Sequence, residues 1–166
     1  VGGLENLQHK PLFVLYDEPT SPLTHSFEAV DKLLFMAEHR LPTNYAPGIM
    51  AGGTSPVTLA GAMTQANAEI LTGLVIHQLK RPGAPFVHGA GVSPMDMRSM
   101  QPTYSAPEAI MGQAGLTQIG RDLYHLPTWG FTGCSASKLC DQQAMYEAYS
   151  YLYTAAHMGT NLVHDV

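Results

Sequence analysis

The sequence predicts an α/β fold built as a partial (β/α)8 barrel, about four βα units followed by a fifth strand, on three observations. Short runs rich in β-branched and aromatic residues alternate with longer stretches of helical periodicity. The runs begin near residues 12, 44, 85, 128 and 161, and the spacings of 32, 41, 43 and 33 residues match one βα unit. Such alternation implies parallel strands with helices packed outside them. The C-terminal ends of the runs carry Gly, Asn, His and Thr. A doubly wound sheet, buried on both faces, would instead show continuous Val/Ile/Leu runs, so the pattern favours barrel strands with functional tips. A complete barrel needs eight units and about 250 residues, so residues 1–166 read as one half-barrel segment of a larger domain.

Residues 11–16 (PLFVLY) form the first predicted strand. A helix follows over 26–40, with Phe27, Val30, Leu33, Leu34 and Ala37 in one stripe, and Leu41-Pro42 stops it. Residues 44–50 are a weaker strand running into Ala51-Gly52-Gly53. Ser55-Pro56 offers an N-cap and a proline for the first helical position, opening a helix that Pro82-Gly83 ends after Arg81. The third strand is 85–88, followed by glycine-rich GAGVS and a long loop to Ser105. There Ser105-x-x-Glu108 matches a capping box and starts a helix to Tyr124. Residues 128–132 are the fourth strand. The fourth helix covers 141–158, has Met145, Tyr149, Leu152 and Ala156 as its packing stripe, and is closed by Gly159. Residues 161–164 are the fifth strand.

Charge narrows the function classes. Eight Lys or Arg against 13 Asp or Glu give a net charge of -5, and charged residues are only 13% of the chain, against roughly 25% in ordinary domains. Nucleic-acid and anionic-membrane surfaces need clustered Lys and Arg, and here only Lys80 and Arg81 are adjacent. No apolar stretch approaches the roughly 18 residues of a membrane span. Two cysteines, Cys134 and Cys140, make neither a disulfide framework nor a four-ligand zinc site, so a reducing, cytoplasmic setting is expected. Residues 1–10 (VGGLENLQHK) show neither the charged n-region nor the apolar h-region of a signal peptide, and the first residue is not Met, which suggests an excised segment.

Ligands of parallel α/β folds bind at the C-terminal ends of the strands. Those tips read Tyr16-Asp17-Glu18, residues 48–54 (GIMAGGT), residues 88–93 (HGAGVS), residues 133–138 (GCSASK) and His164-Asp165. Glycine there serves either a bare floor for a large flat ligand or a positive-φ turn between strand and helix. His88 is the leading pocket candidate by its tip position. His164 has the same placement, next to the chain end. Asp17 and Glu18 are candidate acid and base, but adjacent residues on extended chain point apart, so at most one acts. Tyr16, Tyr45, Tyr104, Trp129 and Phe131 can form an aromatic wall for a cation, where a π face replaces water around a charge that has no hydrogen-bond donors; one or two of them are expected to line the site. Met95, Met97 and Met100, with Asp96 and Arg98, give an adaptable, partly apolar loop. Cys134 is expected to be an inert, small apolar residue.

Several segments together carry a resemblance: Gly52-Gly53-Thr54-Ser55-Pro56, residues 57–62 (VTLAGA), Gln-Ala-Asn-Ala-Glu at 65–69, residues 81–85 (RPGAP), residues 93–98 (SPMDMR), Ser105-Ala106-Pro107-Glu108 and Ser137-Lys138. In this order they resemble the trimethylamine methyltransferase family, over essentially the whole chain. The resemblance implies a (β/α)8 barrel roughly three times longer, and an enzyme that moves a methyl group from a methylated amine to the cobalt of a separate corrinoid protein. Only the standard twenty residues occur, so the chain resembles the branch without pyrrolysine, which includes glycine betaine methyltransferase. A quaternary ammonium leaves as a neutral amine, so no general acid is required and rate comes from positioning. With tip placement, the resemblance assigns substrate contacts to His88, Tyr104, Tyr16, Asp17 and Gln142. It assigns a corrinoid-facing rim to Gly52, Gly53, Gly89, Gly91, Ser93, Asp96, Arg98, Ser137 and Lys138. The corrinoid cofactor is expected on the partner protein, with no metal held by this chain and the segment inactive alone. Open strand edges at 12–16 and 161–164 are expected to drive self-association into a homo-oligomer.

Overall fold

The computed structural model describes residues 2–165. It is an α/β chain whose elements are α1 (Leu4–His9), β1 (Leu15–Asp17), α2 (Phe27–Glu38), β2 (Thr43–Tyr45), β3 (Gly48–Ala51), α3 (Leu59–Lys80), β4 (Phe86–Val87), β5 (Gly91–Pro94), α4 (Pro107–Gln118) with a π turn over Ile119–Leu123, β6 (Trp129–Phe131), α5 (Gln142–Met158) and β7 (Leu162–His164). Every strand pairing is parallel. β1, β2 and β4 form one ladder, a parallel bridge from His88 to Thr128 carries it on to β6, and β6 pairs with β7. The five predicted strands therefore stand side by side in chain order.

Two of them are longer than predicted and each is broken once. Pro47 has no N–H to give a ladder, so the predicted strand at 44–50 divides into β2 and β3. The chain after β4 resumes as β5, paired with β3 in the register Ile49↔Val92 and Met50↔Ser93. A long loop was expected there, because Gly and Pro are depleted in strands; the pairing partner supplies what local propensity lacks.

The helices pack on one face of the strands. α3 touches α2 and α4, and α4 touches α5. Leu33, Tyr45, Ile49, Ile70, Phe86, Val92 and Leu116 make the principal core, and a second cluster joins Val87, Trp129, Phe131 and Tyr151. α2 buries Ala29, Leu33, Met36 and Ala37, whereas Phe27, expected in the stripe, is 79% exposed. α3 starts at Leu59, not at Pro56: the Ser55 hydroxyl donates to the Met50 carbonyl (3.3 Å), and Thr58 caps the helix by accepting from the Gly61 N–H (3.2 Å). The Ser105 capping box does not form. Pro107 takes the first helical position, where its missing N–H costs nothing, and this leaves Ser105 one residue outside the cap. α5 starts and stops as predicted, with the Asp141 carboxylate accepting from the Ala144 N–H (3.0 Å) and Gly159 at φ 74°. Its buried face is Tyr151 and Ala155, while Met145 and Tyr149 face outward, because Tyr151 is the residue that reaches Phe131 (5.6 Å). Gly120 is required at the α4 end, since a Cβ there would stand 2.7 Å from His88 Nδ1. No helix among the described residues is long and apolar enough to cross a membrane.

Candidate functional site

Period-two alternation on the strands sorts the tip residues into two environments. On β1, Asp17 turns to the helices and Tyr16 and Glu18 turn the other way. Asp17 is 1% exposed, pairs with Lys32 Nζ on α2 at 2.5 Å and accepts from the Glu18 N–H at 3.0 Å. Burial raises its pKa, and the Lys32 ammonium only partly offsets this. Asp17 is thus a strand-to-helix anchor and not the substrate contact expected of it.

Tyr16 and Glu18 open onto a cleft of about 440 Å³ at the strand tips. Four of its walls are aromatic: Tyr16, Trp129 and Phe131 come from strands and Tyr104 from the loop before α4. The Tyr16 ring lies 5.2 Å from Trp129, His164 stacks on Trp129 at 4.6 Å and 26°, and Tyr104 meets Phe131 edge-on at 5.3 Å. Three inter-strand spacings separate β1 from β6, about 14 Å in a flat sheet. Contact at 5.2 Å means that the side chains converge across a curved face. Gly91 leaves room for the Phe131 ring, since a Cβ would stand 2.6 Å from it.

Negative charge borders this aromatic wall. Glu18 and Asp165 both line the cleft, and no Lys or Arg among the described residues lines it. The Tyr16 hydroxyl donates to the Glu18 carboxylate. Burial, and then this neighbouring carboxylate, raise the Tyr16 pKa far above its usual value, so the hydroxyl stays neutral. Asp165 pairs with His164 Nδ1 at 2.7 Å. Cys134 also lines the cleft, and burial raises its pKa, which keeps the thiol protonated.

The other expected site residues divide. Gly91, Ser93, Tyr16 and Tyr104 line the cleft, and four of the five aromatics weighed for the wall are there, more than the one or two expected; Tyr45 is in the core. His88 is not. Its ring is fully buried on the helix side, Nε2 lies 3.1 Å from Asn67 Oδ1, and burial lowers its pKa to about 4, so it is a neutral packing residue. Gly89 is buried too, where any side chain would collide with the Trp129 carbonyl. Gln142 is exposed at the first turn of α5, outside the cleft lining. Gly52 and Gly53 sit against Met97 and Met95, which joins two tip loops into one ledge. On that ledge Asp96 accepts from the Arg98 N–H (3.0 Å) and from Ser99 Oγ (2.8 Å), and Arg98 is exposed. Ser137 donates to Asp141, and Lys138 is exposed. His164 and Asp165 were legible as a tip but carried no assignment; the register of β7 beside β6, which sets His164 against the cleft-lining Phe131, is the signal that places His164.

The chain's relatives agree with one another. A family model described as trimethylamine methyltransferase matches residues 1–166. A trimethylamine methyltransferase of Desulfitobacterium hafniense is 35% identical over 98% of this chain and 33% of its own length. One from Methanosarcina barkeri is 32% identical over the same shares. A glycine betaine methyltransferase of Desulfitobacterium hafniense is 32% identical over 98% of this chain and 34% of its own. The chain spans about a third of the length of these relatives. On the match over its whole length, the chain belongs to the trimethylamine methyltransferase family.

Proposed function

We propose that the chain is one section of a (β/α)8 barrel and that its cleft holds the methylated ammonium group of a methyltransferase substrate, glycine betaine or a related quaternary or tertiary amine. The observation that carries this reading is the cleft's composition: four aromatic faces and two carboxylates, without a lining Lys or Arg. A quaternary ammonium has no N–H, so π faces and nearby negative charge are the groups that can replace its water. In the proposed complex Tyr16, Trp129 and Tyr104 present ring faces or edges to the N-methyl groups. Glu18 and Asp165 balance the charge. His164, fixed by Asp165 and by its stack on Trp129, holds the Trp129 ring in place.

The acceptor is a corrinoid carried by a partner protein, which supplies a Co(I) nucleophile when it docks. The residues at the rim fit a broad flat group. Gly52, Gly53 and the exposed Met97 and Met100 offer small or flexible surface, and Asp96, Arg98, Ser137 and Lys138 stand on the same rim loops. The chain's task is then to aim one N-methyl group out of the cleft. The C–N electron pair stays on nitrogen, the amine leaves neutral, and no residue has to move a proton. Positioning of this kind supplies rate without acid–base chemistry.

The test is consumption of cob(I)alamin by the polypeptide at the length of its relatives, with glycine betaine, carnitine and trimethylamine offered separately. At least one amine should be consumed, and Tyr104→Phe with Trp129→Ala should slow it; no consumption with any of them would overturn the reading. A second reading, self-association, rests on β1 and β7, each of which pairs on one side only. Light scattering showing a monodisperse monomer would remove it.

A further inference from the structure

Two helices carry the same five-residue element, Gln-Ala-x-x-Glu, as Gln65-Ala66-Asn67-Ala68-Glu69 on α3 and Gln143-Ala144-Met145-Tyr146-Glu147 on α5. Residues four apart stand on one helix face, and both copies use that spacing in the same way. The Glu69 carboxylate is fully buried and accepts from three donors: Ser21 Oγ (2.7 Å), the Leu23 N–H (2.9 Å) and Gln65 Nε2 (3.0 Å). The Glu147 carboxylate accepts from Ser135 Oγ (2.7 Å), the Ala136 N–H (2.8 Å) and Gln143 Nε2 (2.9 Å). A serine hydroxyl, a backbone N–H two residues after it in the first set and one in the second, and the glutamine one helical turn earlier make up both sets.

Each carboxylate ties down a segment that enters the cleft wall. Ser21 and Leu23 belong to the stretch that starts at Glu18, and Ser135 directly follows Cys134; Glu18 and Cys134 both line the cleft. Gln65 Nε2 also donates to the Thr54 carbonyl (3.0 Å), so the α3 copy reaches a second lining loop. α4 repeats only part of the element. Gln113-Ala114 is followed by Thr117 where the others have Glu, and Gln113 donates to the Trp129 carbonyl of a strand (3.2 Å), not to a loop. The carboxylate therefore goes with loop anchoring. Charge-assisted hydrogen bonds are roughly twice as strong as neutral ones, so each set holds its segment in one place; for the wholly buried Glu69, loss of a partner is costlier still, whereas Glu147 is half-buried.

We propose that Glu69 and Glu147 are paired positioning residues, setting the cleft from its two sides through the segments that carry Glu18 and Cys134. The effect on ligand rests on the methylammonium reading above; the anchoring itself does not. The test is hydrogen–deuterium exchange together with tetramethylammonium titration of Trp129 fluorescence, Trp129 being the single tryptophan. Glu69→Gln should speed amide exchange around residues 18–24 about tenfold, and Glu147→Gln around 133–138 by a similar factor. Ser135→Ala should match Glu147→Gln, and the double variant should add little, as expected of partners in one contact. Each variant should weaken tetramethylammonium binding about threefold while the chain is folded, which a role confined to stability would not do. If Glu69→Gln fails to fold, Ser21→Ala reads the same contact from the loop side. Unchanged exchange in these segments, additive double variants, or looser segments with unaltered binding would overturn the proposal. A wild-type chain that ignores tetramethylammonium would overturn the cation reading instead, and the exchange data would still decide the anchoring.

Discussion

The two faces of the same short strands answer different physical demands. Towards the helices, polar groups are buried and neutralised: Asp17 meets Lys32, His88 meets Asn67, and the space between is filled by Leu33, Ile70 and Phe86. Towards the cleft, Tyr16 and Tyr104 stand partly open, 44% and 48% exposed, in front of the buried Trp129 and Phe131 and beside the carboxylates of Glu18 and Asp165. One residue step along β1 separates an anchor from a wall. The helix-facing side should therefore carry stability and the cleft-facing side affinity, and variants should divide along that line.

The largest effects belong to the helix-facing side. Ile70→Ala should cost about 2–5 kcal/mol of unfolding free energy, measured by urea denaturation, with tetramethylammonium affinity unchanged while the chain is folded. Acid should find the same side. His77 and His88 are buried and held neutral, each with a pKa lowered to about 4 from 6.5. Between those values the unfolded chain binds more protons than the folded one, so stability should fall as pH drops from about 6.5 towards 4. The loss is on the order of 3 kcal/mol per histidine, and it should shrink when His88→Asn removes one group. Lys32→Met leaves the Asp17 carboxylate without its cation. Because Lys32 is half exposed, the cost should be about 1–3 kcal/mol, less than for a wholly buried pair. A smaller effect is expected on the cleft side. Tyr16→Ala should weaken tetramethylammonium binding by about 1–2 kcal/mol while moving the thermal midpoint little. Loss of affinity in Ile70→Ala, or loss of stability without loss of affinity in Tyr16→Ala, would erase the distinction. Asp141→Ala, which removes a helix cap away from both faces, should cost about 1 kcal/mol.

Much of this division was legible in the sequence, and the remainder has physical causes. The alternation of elements foretells the parallel strands, and four of the five aromatic residues weighed near strand ends and loops converge on one cleft, where one or two were expected. Asp17 and His88 were misread for one reason. A strand tip names a level along the strand but not a face, and the face depends on register with neighbours that no single run displays. β5 was missed because Gly91, Ser93 and Pro94 pair through backbone already aligned by β3, with little help from their side chains. The stripe on α5 was misjudged for a similar reason: Tyr149 and Tyr151 are equally apolar to the eye, and contact with Phe131 decides between them. Gln65 and Glu69 were legible only as part of a family motif; the second copy on α5 gives them a physical role.

The central claim is that the cleft selects a methylated cation through its aromatic faces. The direct measurement is a titration of Trp129 fluorescence with tetramethylammonium and, in parallel, with its neutral tert-butyl counterpart, tert-butanol. The account predicts a saturable change with the cation, at least about fivefold tighter than any change with the alcohol, and a marked weakening of that preference in Tyr16→Ala. Equal responses to cation and alcohol, or none to either, would contradict it.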